Sequence, residues 1–547
     1  MAKLLKRLNH NLVILSLLLI LGFFLRVVNI DNIPKGIYGD GLTAVYDAYS
    51  ILNTGHDQKG NFLPFVFELG DHRPPGYVYA TIPFVAILGP GALAANSLSI
   101  LSGIGLIIMM YLLGKKLYSP RVGIIAAFLM TFSAWDLDLS RGPFETHFAL
   151  FLVVLGVFCY LQIKQNSWWL ILTSLCFGLS SLTYPTYVLT APLLLLFIVI
   201  LDKDKFEYFK RNKTLTITAG MISLIVVILS FLIIHSGKGP SRAESLNVFN
   251  KPETQATVTE HINSDRQFES GPEWSKYLLH NKFLSYSLLI TDYYLQNFRP
   301  DFLLLRGDPQ PRHNPDETGQ INIATGILVI LGVVFLYRKR ILALFLGWLL
   351  IAPIATALIG PPHALRDSLM LPPLMLLAAF GAEKVFHSHN RYKTLIIFII
   401  IGLYILEQIY FLDRFYFIAP NKFARYWSYS AKHASQITLR EKSNYNYIFL
   451  SPRIDNMEFA YPVYAKLEPK DVIAQNQHGT MLNGYKFLNY GNVYIGTIPQ
   501  EKTKEFLKSL PGSYLYLGPV EEKTFVEIKD VLPGPDFLPE LVIAERK

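Results

Sequence analysis

Long apolar runs limit this chain to a membrane fold before any motif is considered. They cover residues 11–28, 151–163, 191–201, 217–234, 323–336, 341–359 and 394–412. A helix that crosses a bilayer needs roughly 20 apolar residues, so each run reads as a span or the core of one. With 51% hydrophobic and 17% charged residues over 547, the chain is too apolar for a soluble domain of that size. The first run follows Lys3, Lys6 and Arg7 and carries Arg26 near its end, with no small-residue cleavage site. It reads as an uncleaved anchor.

Charge sets the orientation. Short basic loops hold Lys115, Lys116 and Arg121, then Lys164, then Lys203, Lys205, Lys210, Arg211 and Lys213, then Arg338, Lys339 and Arg340, then Arg391 and Lys393. Placing them all in the cytoplasm puts the N-terminus inside and gives about eleven spans, with the C-terminus outside. The expected location is the plasma (inner) membrane, multi-pass, with an extracytoplasmic C-terminal domain. The net charge of +9 fits this positive-inside bias, or attraction to anionic lipid phosphate. No soluble basic domain stands apart, so nucleic acid is not an expected partner. Cys159 and Cys176 lie in apolar helical patterns and read as core residues.

The chain then divides at about residue 413. Residues 1–413 form the expected transmembrane catalytic domain, with large external loops at 29–89 and 236–320. In the second loop, residues around 241–270 are polar and expected to be mobile. Residues 274–298 have helical spacing, as a membrane-surface helix or an ordinary packed one. Residues 414–547 have soluble composition, with strands expected at 447–450, 492–495 and 513–517 and a helix at 500–509. A small α/β domain outside the membrane follows.

The external loops hold most of the acids, histidines, prolines and tyrosines, so the chemistry is expected there. Asp40 sits between glycines in Gly39-Asp40-Gly41. It suits a general base, a ligand of a hard cation, or a helix N-cap equally well. Asp71-His72-Arg73-Pro74-Pro75 places a guanidinium on a proline-stiffened turn, either as a phosphate contact or as a juxtamembrane anchor. Arg141 and Glu145, four residues apart, suit an ion pair or a phosphate-sugar site, while Asp136 and Asp138 read as solvated loop acids. Arg312-His313 precedes one span, and His363 to Arg366 lies between two others. Ionisable residues at a membrane edge are functional candidates, with snorkelling as the bland account. No phosphate loop of the form GxxxxGK[ST], HExxH, CxxC or GxSxG occurs, which argues against nucleotide-powered transport and the common zinc proteases.

These motifs, in this order, resemble the GT-C superfamily of polytopic glycosyltransferases. The nearest likeness is to the bacterial branch related to protein O-mannosyltransferases and the aminoarabinose transferase of lipid A. The resemblance covers roughly residues 11–412. It rests on Tyr38-Gly39-Asp40 followed by Ala48 to Gly55, and on Gly70 to Pro75 with Tyr77 and Tyr79. Ser140-Arg141 with Phe144-Glu145, Arg312-His313 and Pro362 to Arg366 complete it. It implies a GT-C-like polytopic helical fold and inverting transfer from a polyprenyl-phosphate-linked sugar to a protein, lipid or glycan acceptor on the external face. Asp40 matches the family's catalytic aspartate, but Gly41 stands where a second acid is usual. Arg73 matches a usual lysine. The resemblance makes Asp71, His72, Arg73, Arg141, Glu145, Arg312, His313, His363 and Arg366 candidate substrate contacts. A divalent cation stays open, with Asp40, Asp71 and Glu145 as candidate ligands. The competing reading is a flippase or secondary transporter for lipid-linked sugars.

Overall fold

The computed structural model describes residues 2–69, 71–235, 247–388 and 391–547. Among these, six helices are long and apolar enough to cross a membrane: His10–Val27, Ala92–Leu117, Lys213–Ile233, Arg340–Ala357, Ser368–Phe386 and Lys393–Lys422. A seventh candidate is the pair Pro120–Thr131 and Ala134–Ser140, bent by 59°. Five further apolar helices run only 13 to 16 residues, among them Glu145–Tyr160, Tyr187–Leu201 and Ile323–Phe335. At 1.5 Å per residue these reach about 20–24 Å, short of the roughly 30 Å hydrocarbon core. The expected eleven or so spans therefore require short helices to cross as well.

The site is positioned by the first helices. We label them α1 (Ala2–Val27), α2 (Gly39–Thr54), α3 (Gly76–Leu88), α4 (Ala92–Leu117), α5 (Pro120–Thr131), α6 (Ala134–Ser140) and α7 (Glu145–Tyr160). Between α2 and α3 lies an antiparallel hairpin of β1 (Phe67–Leu69) and β2 (Asp71–Arg73), with Glu68 opposite His72. Helix α2 is not among these apolar helices. It ends at Gly55, whose left-handed φ of 75° turns the chain away.

The loop after residue 235 differs from its expected form. Residues 236–246 lie outside the described ones. The polar stretch expected to be mobile contains a helix, Pro252–Phe268, opened by a proline in its first turn and buried on one side through Val258 and Ile262. The single helix expected over 274–298 is two, Glu273–Leu279 and Lys282–Gln296. Asn281 divides them by capping the second, its side chain accepting from the Leu284 N–H at 3.0 Å.

The C-terminal domain is a seven-stranded mixed sheet of order β4-β5-β6-β3-β7-β9-β8. Its strands are β3 (Tyr447–Leu450), β4 (Thr480–Leu482), β5 (Tyr485–Tyr490), β6 (Val493–Ile495), β7 (Tyr514–Pro519), β8 (Asp530–Pro533) and β9 (Pro539–Arg546). β3 lies parallel to both β6 and β7, and the remaining pairs are antiparallel. Alternation along β3 sends Ile448 and Leu450 to one face and Phe449 to the other. The first face shares a hydrophobic core with α2 and α3, through Val45, Tyr46, Ile51, Tyr77, Tyr461 and Val493. Hydrogen bonds fix this docking: Tyr46 donates to the Leu467 carbonyl at 2.8 Å, Asn476 to the Gln58 carbonyl at 2.8 Å and Gln477 to the Lys59 carbonyl at 3.2 Å.

Candidate active site

Asp40 is the second residue of α2. Tyr38 holds the cap position and makes no side-chain cap, so Asp40 is not the helix cap that its spacing allowed. Its Oδ1 receives a 2.7 Å hydrogen bond from Nη2 of Arg73 at the end of β2. Asp40 is 34% exposed and Arg73 10%, so the pair sits at the rim of the buried region with the carboxylate on the outer side. The hairpin and α2 thus bring together two residues 33 positions apart.

Gly41 has a steric explanation. A Cβ there would lie 2.2 Å from Cγ of Pro143 and 2.9 Å from Ile37. No side chain fits unless the proline moves, which excludes a glutamate in the present packing.

Tyr38 is a member of this group that the sequence reading quoted but did not select. Its phenol donates to the Pro143 carbonyl at 3.1 Å, and its ring packs on Phe144, 5.4 Å between centroids, and edge-on to Trp427. The Arg312 guanidinium lies 5.1 Å from the ring centre. Burial, then the nearby Asp40 and Glu145 carboxylates, push the phenol well above its ordinary range, while Arg312 opposes them. Tyr38 therefore stays protonated and marks where Asp40, Glu145 and Arg312 converge. Glu145 opens α7 and is 7% exposed.

A second cluster faces this group, and Asp308 organises it. Its Oδ2 accepts the Ala364 N–H at 2.6 Å and lies 3.3 Å from Nδ1 of His313 and 3.9 Å from Nδ1 of His363. Its Oδ1 accepts the Gln310 N–H at 2.8 Å. Burial alone would raise this carboxyl, but the hydrogen bond and charge of His313, the charge of His363 and the Gln310 N–H bring it down to about 2. Burial lowers both histidines, so near neutral pH the cluster holds one carboxylate and two neutral imidazoles. The imidazoles lie 4.6 Å apart, and His313 packs edge-on to Phe144. Asp367, next to Arg366, is pushed by burial up to about 7 against the His363 N–H that it accepts at 2.8 Å.

Arg312 and Arg366 flank the histidines, and the field of each lowers both imidazoles. Neither guanidinium has a hydrogen bond or ion pair among the described residues, and Nε of Arg312 is buried without a partner. The loop holding Arg366 is itself fixed. Trp135 donates to the Ala364 carbonyl at 2.9 Å and Thr146 to the Leu365 carbonyl at 2.8 Å.

Other expected residues fall elsewhere. Arg141 donates to three backbone carbonyls at the end of α1 and beyond, Leu25 at 3.0 Å, Val28 at 2.7 Å and Ile33 at 2.6 Å, beneath the Tyr416 ring. It fastens the chain entering the site. His72 meets Glu68 at 3.8 Å across the hairpin. Asp71 opens β2, and its side chain lies outside the described residues. Asp136 and Asp138 are buried and not solvated loop acids. Asp136 pairs with Arg26 and accepts from His147 at 2.9 Å, because α6 bends back into the helices instead of crossing an open loop.

Among the described residues, one group has metal-ligand spacing: Asp308, His313 and His363, with ligand atoms within 4.8 Å of one another. An ionised carboxylate and two neutral imidazoles suit a divalent transition ion. Of the expected ligands Asp40, Asp71 and Glu145, the Asp71 side chain lies outside the described residues.

Residues 72–232 match the family model of dolichyl-phosphate-mannose-protein mannosyltransferases. No curated protein matches the chain by sequence. Among solved structures, ArnT from Cupriavidus metallidurans bound to undecaprenyl phosphate is similar over 97% of both chains, with a TM-score of 0.54 and 9% identity. The apo form of that protein gives 0.54 and 10% over 98% of both. The archaeal oligosaccharyltransferase AglB from Archaeoglobus fulgidus, in complex with an inhibitory peptide and a dolichol-phosphate, gives 0.48 and 15%, covering 84% of this chain and 64% of that one.

Proposed function

We propose that this chain, which has the fold of the GT-C superfamily of polytopic glycosyltransferases, transfers a sugar from a polyprenyl-phosphate donor to an acceptor on the external face of the membrane. The carrying observation is the pair Arg312 and Arg366, two guanidiniums whose fields reach both histidines and which have no hydrogen bond or ion pair among the described residues. Partly buried cations left unpaired are costly, and a donor phosphate supplies the missing charge in bidentate form.

The acceptor hydroxyl attacks the anomeric carbon from the side opposite the phosphate, and Asp40 takes its proton. Arg73 holds the carboxylate in place at 2.7 Å. The carbon–oxygen bond to phosphate breaks, the configuration inverts, and the bonding electrons leave with the polyprenyl phosphate. Arg312 and Arg366, fixed before the reaction begins, stabilise that growing charge. Glu145, buried at the N-terminus of α7, orients sugar hydroxyls. Asp308, His313 and His363 would hold a divalent cation, which would add charge for the same phosphate.

Purified protein incubated with defined polyprenyl-phosphate sugars, with and without chelator, tests this reading. Mass spectrometry follows released polyprenyl phosphate. Asp40→Asn is expected to cut release by about 10²–10⁴ while membrane insertion and melting are unchanged. Arg312→Ala with Arg366→Ala is expected to do the same by about 10²–10³. Movement of intact donor between leaflets without cleavage would replace transfer by transport.

A further inference from the structure

We infer that a cavity in the C-terminal domain is a binding site for the carbohydrate part of the acceptor, a proposal that rests on the transferase reading. The cavity is about 220 Å³ and lies at the carboxyl ends of β3 and β7, between residues 453–455, residues 519–521 and the turn before β9. β3 is also where the sheet's connections change face. The helix that follows it, Met457–Tyr464, packs on the α2 side, while Gln500–Lys508, which follows β6, packs on the opposite side with Phe449. Crevices outside the carboxyl ends of parallel strands at such a switch are where open α/β sheets hold ligands.

The lining is suited to hydroxyl groups. Arg425 is held by Asp536 at 2.7 Å, and Arg453 is paired with Glu522 and donates to the Ile498 carbonyl at 3.1 Å. Both guanidiniums thus present N–H groups in fixed directions. Glu540 accepts from the Ser430 hydroxyl at 2.6 Å through Oε1, while its buried Oε2 lies 3.8 Å from Nδ1 of His433 and has no hydrogen bond among the described residues. An acceptor of that kind, left unmade, costs stability unless a ligand donor fills it. Asp455 and Glu521 add carboxylate oxygens at the rim. A cavity of this size, below the roughly 300 Å³ of drug-sized pockets, takes one sugar ring and not an extended peptide.

The cavity is also coupled to the catalytic loop. Asn456 packs against Gly39, the residue before Asp40, so closely that a Cβ there would sit 2.4 Å from its Oδ1. Asn456 donates to the Ser428 hydroxyl at 2.9 Å, which in turn donates to Asp455 at 3.0 Å. Ser428 and Asn456 both adopt left-handed backbone, φ 52° and 58°, held by this chain of contacts. The turn that begins at the cavity therefore ends against the general base.

The test uses the full-length protein in nanodiscs on an array of defined neutral oligosaccharides, with a lysine-rich peptide as a separate arm. Wild type is expected to bind a subset of the glycans. Glu540→Gln and the exposed Glu521→Gln, singly and together, are expected to weaken that binding by roughly tenfold or more. Their melting temperature and their acceptor-free hydrolysis of donor should be unchanged. Asp40→Asn should bind glycans like wild type. No glycan binding, unaltered binding by the double variant, or preference for the peptide overturns the proposal. Failure of the transferase reading shows instead as absent polyprenyl phosphate release, whatever the array reports.

Discussion

Single residues decide how this site works, and Gly41 is the sharpest case. A motif reading treats it as a lost acid, whereas the structure gives it a steric role beside Pro143. Gly41→Glu is therefore expected to lower the melting temperature and reduce donor cleavage, because the proline cannot yield without moving Phe144 and Tyr38. Activity above wild type in that variant, measured by polyprenyl phosphate release, would restore the acidic-pair idea. The Asp308 cluster makes a pH prediction. Its carboxyl is held at about 2, below the ordinary value near 4, so the stability it adds is complete above that value and lost as pH falls from there to about 2. The two imidazoles are also lowered. Below about pH 6.5 the unfolded chain takes up protons that the folded one refuses, so the folded state weakens on acidification. The melting temperature should fall between pH 7 and pH 5, with a shallower slope in His363→Asn; a flat profile in wild type counts against buried neutral histidines. Asp40, Arg73, His313 and Arg366 were legible as types in suggestive places. Asp308 was not, because of the two histidines that give it meaning only His313 is near in sequence, and His363 is 55 positions away.

At the level of elements, the apolar runs were legible and their partners were not. The helices Ile323–Phe335 and Leu371–Phe386 approach so closely that a Cβ on Gly381 would sit 2.0 Å from the Leu328 carbonyl oxygen. Gly332 faces the Leu377 carbonyl in the same way, at 2.1 Å. Small residues let helix backbones meet, and backbone cannot swing aside as a long side chain can. Gly381→Ala is expected to cost about 1–3 kcal/mol, read by thermal melting of the solubilised protein; Gly402→Ala, with open space at its Cβ, should cost far less. Nothing in the sequence separates these two glycines, since both sit in apolar helices. The polar helix Pro252–Phe268 escaped notice for the opposite reason: its buried side is only Val258 and Ile262, too little apolar periodicity to see.

At the scale of the whole molecule, the boundary near residue 413 divides composition but not packing. α2 and α3 share one hydrophobic core with the C-terminal sheet, through Tyr46, Tyr77, Ile448 and Tyr461. Chain ending at residue 413 should therefore lose both α2 and the site. It is expected to express as an aggregation-prone protein without donor cleavage, checked by size-exclusion profile and polyprenyl phosphate release; a monodisperse, active truncation would show the halves to be independent. The sequence made the two compositions visible, but contacts between residues more than 400 positions apart leave no local pattern. That separation also has a consequence in time. α2 is made early and its packing partners some 400 residues later, so at about 5–20 residues per second Asp40 waits on the order of a minute for that support. Until the C-terminal sheet has formed, α2 lacks part of the core against which it packs.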